Sequence, residues 1–522
     1  MNEGTATVAG RYAQLEADRD AFLQRARDAA TLTIPSLVPP EGHNGTSQFD
    51  TPYQSVGSRG VNNLASKLLL TLMPPNSPFY RLVIDDYDLQ QVAGDARGKV
   101  EEALSRIERA GLQEIEGSAV RVPVFEALKQ LIVAGNALVY LPKKEGMKVY
   151  RLDRYVVKRD AMGNVLELIT KESVSPLMLP AEVREILDDP EDRNTKDFDL
   201  YTCVKRTEKG SWHVYQEVKG IAIPGSEGTY PKDKCPFIPL RFSRIDGEDY
   251  GRGFVEEYIG DLKSLEALTQ AIVEGSAAAA KVLFLVRPNG TTKAKNLAQS
   301  PNGAIVAGDA NDVSTLQVQK AADFQVALQT SQMITDRLSF AFMLNSAVQR
   351  NAERVTAEEV RFMAQELETT LGGVYSILSQ EFQMPLVNLI LGRLEATGKM
   401  PKLPKDTVKP TIVTGMEALG RGQDLNKLSQ FLQYLQPLGA EVIAQEMNID
   451  DYIDRLGASL GIDTSGLIKS AEQKAQEQQQ MQEQQQMMMA QQVMGDMATK
   501  ATPEAAKAVA QYTQGQMAQP QE

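Results

Sequence analysis

Between residues 250 and 360, apolar and polar positions follow two long helical periods separated by a short run of β-branched and aromatic residues. After Tyr250-Gly251-Arg252-Gly253, the residues Phe254, Tyr258, Leu262, Leu265, Leu268 and Ile272 recur at steps of three and four. That spacing predicts a helix with one buried face. The helix ends in Gly275-Ser276-Ala277-Ala278-Ala279-Ala280, whose small side chains let a neighbouring backbone come close. At about 1.5 Å per residue the element is a rod of about 40 Å. Val282 to Val286 (VLFLV) predicts a strand. A second helix, Phe324 to Leu344, repeats the period with Ala327, Leu328, Ser331, Ile334, Leu338, Ala341 and Phe342. A polar, amide-rich loop follows, carrying Asn345, Gln349, Arg350, Asn351 and Arg354.

Upstream, Ala9 to Thr31 reads as an amphipathic helix with Tyr12, Leu15, Phe22 and Ala26 on one side, stopped by Pro35, Pro39 and Pro40. The loop-like stretch Glu41 to Ser47 precedes a helix rich in Leu68, Leu69, Leu70 and Leu72, which ends before Pro74-Pro75. Phe79 to Ile84 is a strand by pattern, and charged helices cover Asp95 to Ile115 and Val124 to Ala134. From Ala137 to Ile245 the period shortens. Leu138-Val139-Tyr140, Lys148-Val149-Tyr150, Tyr155-Val156-Val157, Val165 to Ile169, Leu200 to Lys205 and Trp212 to Glu217 are strand-like, separated by turn signals such as Met162-Gly163-Asn164. Short connections make this α+β stretch antiparallel, with one helix over Ala181 to Leu187.

Downstream, Thr356-Ala357-Glu358-Glu359 is a capping box. It opens a long helix through Val360, Met363, Leu367, Leu371, Leu378 and Phe382 to about Leu394, and Gly372, Gly373 and Pro385 inside it predict a bend. Pro401, Pro404 and Pro410 mark a crossing segment before further helical stretches to about Leu456. The last 52 residues hold 16 Gln and 7 Met, a composition that reads as disorder in isolation. Gln, Met and Ala are also good helix formers, so copies held side by side would favour a helical bundle.

Composition narrows the classes. A chain of 522 residues exceeds one ordinary core, and 42% apolar with 24% charged residues reads as globular and soluble. No apolar segment follows a basic start, so a signal peptide is not expected. The runs Leu64 to Met73 and Leu131 to Leu141 are too short to cross a bilayer, so no membrane partner is expected. Cys203 and Cys235, the only cysteines, read as reduced thiols. A net charge of −13 argues against a tight, non-specific nucleic-acid binder, though not against a protein that DNA merely passes. Within this acidic chain, Lys281 to Gly308 contains no carboxylate but carries Lys281, Arg287, Lys293 and Lys295. That local basic face suits an acidic partner or phosphate.

Catalytic signals are sparse. There is no GxxxxGK[ST] for a nucleotide-hydrolysing loop, and Gly251-Arg252-Gly253 reads as a turn because the third glycine of a dinucleotide site is missing. His43 and His213, the only histidines, read as surface or packed residues. Neither CxxC nor HExxH occurs, so no metal or cofactor is expected. Asp246, Glu248 and Asp249 could together hold a cation, but a solvated turn at the helix entrance is the simpler reading. The chain is not expected to be an enzyme.

Several long blocks resemble one known family. Gly251 to Val286 (GRGFVEEYIGDLKSLEALTQAIVEGSAAAAKVLFLV), Asp336 to Val360 (DRLSFAFMLNSAVQRNAERVTAEEV), Leu371 to Glu381, Gly415 to Asp424 and Gly461 to Gly466 resemble, in order, the head-to-tail connector or portal family of short-tailed bacteriophages. The likeness spans about Asp50 to Gly466. It implies an α-rich α+β portal fold that assembles into a ring, usually of twelve copies, with wing, stem, clip, crown and C-terminal barrel.

Carried onto this sequence, residues 1–253 are the N-terminal wing region, β-rich over about 137–245. Stem helices occupy 254–280 and 322–344, and the clip lies at 281–321. The tunnel loop is 345–355, the bent wing helix and crossing segment 356–412, the crown 413–470 and the barrel or disordered tail 471–522. The resemblance places Asn345, Gln349, Arg350, Asn351 and Arg354 on the DNA channel, and Lys281, Arg287, Lys293 and Lys295 on the clip docking surface.

The implied partners are other copies of the chain, the major capsid protein, a scaffolding protein, the terminase large subunit, a tail adaptor (tail tubular) protein and internal core proteins. Double-stranded DNA passes without sequence specificity. A ring of twelve would carry about −156, which disfavours lasting phosphate contacts. Two other classes compete. An internal scaffolding or adaptor protein of the virion would be almost wholly helical, and a nuclease would use Asp246, Glu248 and Asp249.

Overall fold

The computed structural model describes residues 7–75, 79–84, 94–143, 146–187, 197–279, 283–316, 321–344, 367, 370–401, 408–412 and 420–439, with short stretches between 447 and 489. The chain divides into Met1–Gln423 and Asp424–Glu522.

In the first unit the elements run α1 (Val8–Thr31), α2 (Val56–Leu72), β1 (Tyr80–Ile84), α3 (Gly94–Gly117), α4 (Arg121–Ala134), β2 (Asn136–Tyr140), β3 (Lys148–Tyr150), β4 (Tyr155–Arg159) and β5 (Val165–Val174). Then come α5 (Ala181–Leu187), β6 (Phe198–Arg206), β7 (Trp212–Val218), β8 (Ile221–Ala222), β9 (Gly228–Tyr230) and β10 (Phe237–Arg241). The rods and what lies between them follow as α6 (Phe254–Glu257), α7 (Ile259–Ala279), β11 (Leu283–Val286), α8 (Ala294–Gln299), β12 (Val313–Leu316) and α9 (Ala321–Ala341). A helix α10 over 370–378, a π-helical turn at Ser379–Gln383, α11 (Met384–Ala396) and β13 (Val408–Ile412) complete this unit. Helix α12 (Gly420–Leu435) starts four residues before the second unit, within which the Tyr452 hydroxyl donates to the Leu428 carbonyl.

Among the described residues every strand pair is antiparallel. The largest sheet has six strands, in the order β4-β5-β6-β7-β8 with β9 also on β7. Helix α1 lies on it through Val8, Tyr12 and Leu15, which pack with Val156, Ile169, Tyr201 and Cys203. The remainder of α1 joins α2, α4, α11 and the β10-β2-β3 sheet in the main apolar core. Pro239 sits in β10 and Pro410 in β13, both edge strands, where a missing ladder donor costs least.

The junction of α4 and β2 fixes where the rods begin. Gly135 closes α4 at φ +72°, and a Cβ there would lie 2.4 Å from the Arg252 carbonyl carbon. Asn136 then clasps Gly251, accepting from its N–H at 2.7 Å and donating to its carbonyl at 2.8 Å. Gly251-Arg252-Gly253 is therefore a close backbone crossing, not a phosphate loop.

The structure departs from the sequence reading at four places. The first rod is broken at Tyr258, whose φ of −109° and ψ of 14° separate α6 from α7. The aromatic rings of Phe254, Tyr258 and Phe342 cluster there, at 5.1 to 6.1 Å between centroids. Leu328 lies outside the rods' buried seam and is 56% exposed. The segment with Pro410 is a strand, β13, paired with β1 from Tyr80↔Ile412 to Ile84↔Val408. Gly372 and Gly373 lie in regular α10, whereas the irregularity falls at the π-helical turn, with Pro385 in the first turn of α11. The capping box at Thr356 lies outside the described residues.

Candidate functional site

Helices α7 and α9 run antiparallel, because Gly275 leaves room for the Phe324 ring at one end and Arg337 donates to Asp261 at 2.9 Å near the other. Burial along the pair is uneven. At the base Leu262, Leu265, Ile334 and Leu338 are 5% exposed or less. Farther out Val273 is 50% and Val326 63% exposed. On α9 the face opposite the seam carries Val326, Met333 and Phe340 at intervals of seven, with Met333 62% and Phe340 81% exposed. One helix thus presents two apolar faces, only one of which the chain itself covers.

The insert between the rods is a small folded unit. β11 and β12 pair from Leu283↔Leu316 to Val286↔Val313. Asp312 ties the intervening loop, accepting from the Thr291 N–H at 2.7 Å, the Thr292 N–H at 3.1 Å and the Thr291 hydroxyl at 3.1 Å. These bonds, led by the one from the Thr292 N–H, hold its carboxyl below the usual range. Arg287, Lys293 and Lys295 are exposed, and no ion pair among the described residues involves them. Lys281 lies outside the described residues, as do Asn345, Gln349, Arg350, Asn351 and Arg354.

The structure does describe the root from which that loop leaves. Helix α9 ends in a Schellman cap, with the Leu344 N–H donating to Ser339 at 2.8 Å and the Met343 N–H to Phe340 at 3.0 Å. Met343 occupies the left-handed position, φ 54°, that glycine usually takes. Helix α2 lies against this cap. Gly60 faces the Phe342 ring, Asn63 Nδ2 donates to the Phe342 and Met343 carbonyls at 3.0 Å each, and the buried Lys67 Nζ donates to the Met343 carbonyl at 3.0 Å. Lys67 lies within the apolar run Leu64 to Met73, and the periodicity of α2, which puts this cation on the buried face, is the signal in the sequence that points to such a contact.

Of the acidic residues before the first rod, Glu248 and Asp249 are engaged in ion pairs. Glu248 accepts from Arg252, whose hydrogen bonds hold its carboxyl below the usual range. Asp249 accepts from Lys158 at 2.8 Å and from the Arg159 N–H at 2.7 Å. With Asp246 they line a cleft of about 310 Å³ that also contains Arg159, Arg241 and Arg244. Burial pushes Arg159 down to about 10, and its guanidinium donates to the carbonyls of Asp249, Gly163 and Pro239. Arg241 pairs with Glu381 of the π-helical turn. His213 meets Glu227 at the surface, and His43 stacks on Phe49. Among the described residues no group of acidic, His or Cys side chains could hold a metal ion, and no helix is long and apolar enough to cross a membrane.

The model of the family described as bacteriophage head to tail connecting protein matches residues 5–468. The portal protein of Escherichia phage T7 is 47% identical over 512 residues, 96% of this chain and 95% of that one. The portal protein of Enterobacteria phage T3 is 49% identical over 472 residues, 89% of this chain and 88% of that one. A solved chain from the neck of an empty gene transfer agent particle aligns with 72% of this chain and 86% of its own at 12% identity, and its TM-score of 0.37 is too low to carry an inference. The chain belongs to the family of bacteriophage head-to-tail connectors, among them the portal proteins of short-tailed phages.

Proposed function

We propose that copies of this chain form a closed ring, of about twelve by family resemblance, at one vertex of the phage head, and that double-stranded DNA enters and leaves through its axis. The carrying observation is the outward stripe Val326, Met333 and Phe340 on α9, opposite a face already buried in the chain's own core. A neighbouring rod would cover it, and repetition of one such heterologous contact closes a ring. In this reading the loop with Asn345, Gln349, Arg350, Asn351 and Arg354 faces the channel and touches the DNA backbone without reading sequence. Exposed Arg287, Lys293 and Lys295, with Lys281, form the surface that docks first the terminase large subunit and later the tail adaptor. The major capsid, scaffolding and internal core proteins are the remaining contacts, and assembly takes place in the host cytoplasm. The ring catalyses nothing; the motor supplies the work. The antiparallel sheets of the wing speak against a wholly helical internal scaffold, and the ion pairs of Glu248 and Asp249 speak against a nuclease site.

Electron micrographs of the purified protein test this reading. The expected result is rings with an axial hole and a fixed subunit count. Protein that stays monomeric at high concentration would overturn it.

A further inference from the structure

We infer that Lys67 and Asn63 are positioning residues for the DNA channel, acting through the backbone of Phe342 and Met343 rather than by touching DNA. This rests on the channel reading above and adds to it the device that aims the chain as it leaves the rod. A helix end leaves its last carbonyls without intrahelical partners. Here the cap satisfies those of Ser339 and Phe340, and α2 takes the next exposed pair, with Asn63 bridging Phe342 and Met343 and Lys67 reaching Met343.

A buried ammonium, 4% exposed, also answers the negative end of the α9 dipole. Met343 is held at φ 54° although its side chain is not glycine's, and such a conformation persists only where its surroundings over-determine it. Two donors from α2 and the ring of Phe342 seated on Gly60 supply that constraint. Helix α2 thus holds the end of α9 immediately before the chain continues to Asn345, while the other rod is held separately by the Tyr53 and Gln54 amides on Glu266.

The test compares Lys67→Met and Asn63→Ser with Tyr375→Phe, which removes another bond to the same helix, from the Tyr375 hydroxyl to the Thr71 carbonyl at 3.0 Å. Rings are counted in micrographs, thermal stability is measured, and heads filled in a packaging reaction are assayed for DNA that becomes nuclease-sensitive. Lys67→Met and Asn63→Ser should form rings of the normal count but lose packaged DNA several-fold faster, while Tyr375→Phe, at comparable stability, should retain it. Equal retention in all three variants would overturn the inference and leave the ring intact as a conclusion. Failure of the unsubstituted protein to form rings would instead remove the channel reading itself. If Lys67→Met does not fold, Asn63→Ser decides alone: normal retention with normal rings overturns the inference.

Discussion

Replacing Val326, Met333 and Phe340 together by serine separates assembly from folding. These side chains are 63%, 62% and 81% exposed in the single chain, so truncation removes little that the subunit's own core depends on. Substitutions at exposed positions usually change stability by no more than about 0.5 kcal/mol. At an interface the balance reverses. Fully burying a side chain of this kind contributes about 1.5–3 kcal/mol, and roughly two-thirds of each is still available here, so the stripe contributes about 3–6 kcal/mol to one contact. With a factor of ten for about 1.4 kcal/mol, the triple variant should weaken pairwise association by about 10² to 10⁴. Mass photometry across a concentration series reads this directly, and circular dichroism melting checks the subunit. The expected outcome is a monomer that melts like the unsubstituted subunit but forms rings only at much higher concentration. Ile334→Ala, on the buried face of the same helix, should do the opposite and cost about 2–5 kcal/mol of folding stability. If the triple variant forms rings at the original concentration, α9 does not meet its neighbour through this stripe.

Three further outcomes follow from other contacts. Arg241, with its side chain 3% exposed, is neutralised by Glu381, so Glu381→Ala leaves a buried cation and should cost about 3–5 kcal/mol in chemical denaturation. Asp312, held below the usual carboxyl range by the amides of Thr292 and Thr291, contributes stability above its unfolded pKa of about 3.9 that is lost as pH falls through its lower folded value. Proteolysis of the insert should therefore rise below about pH 4, and Asp312→Asn should show that sensitivity at neutral pH. Changing Arg287, Lys293 and Lys295 to glutamine should leave ring formation unchanged while lowering motor-driven packaging, most strongly at low salt, where the attraction of these exposed charges is least screened. Normal packaging would remove the basic face from the docking surface.

Local order was legible in the sequence wherever one physical signal dominated. Tyr12, Leu15 and Ala26 mark one face of α1 by spacing alone, and all three are buried. Strands β2 to β7 follow from alternation between turn signals, and their antiparallel pairing from short connections. Pairings between distant residues left no such trace. β13 meets β1 across more than three hundred residues, and the proline inside it pointed away from a strand. Nor can spacing foretell that Glu381 will reach Arg241, or that three successive residues, Glu381, Phe382 and Gln383, must turn inward. A π-helical turn meets that demand where a 3.6-residue period cannot.

The error at Leu328 has a different origin and bears on function. Helical periodicity reports which positions are apolar, not how many partners will cover them. On α9 the apolar residues form two sets, Ile334, Leu338, Ala341 and Phe342 inward and Val326, Met333 and Phe340 outward, with Leu328 also left exposed. A reading that assigns one buried face per helix merges them into one broad stripe. The surplus becomes visible only when the chain is folded alone and the seam between α7 and α9 is filled. In the ring proposed above, what remains uncovered is the part of the hydrophobic pattern that a neighbouring copy would cover. The same logic applies at Lys67: a polar group on the buried face of α2 finds its use once the Met343 carbonyl at the end of α9 is brought against it.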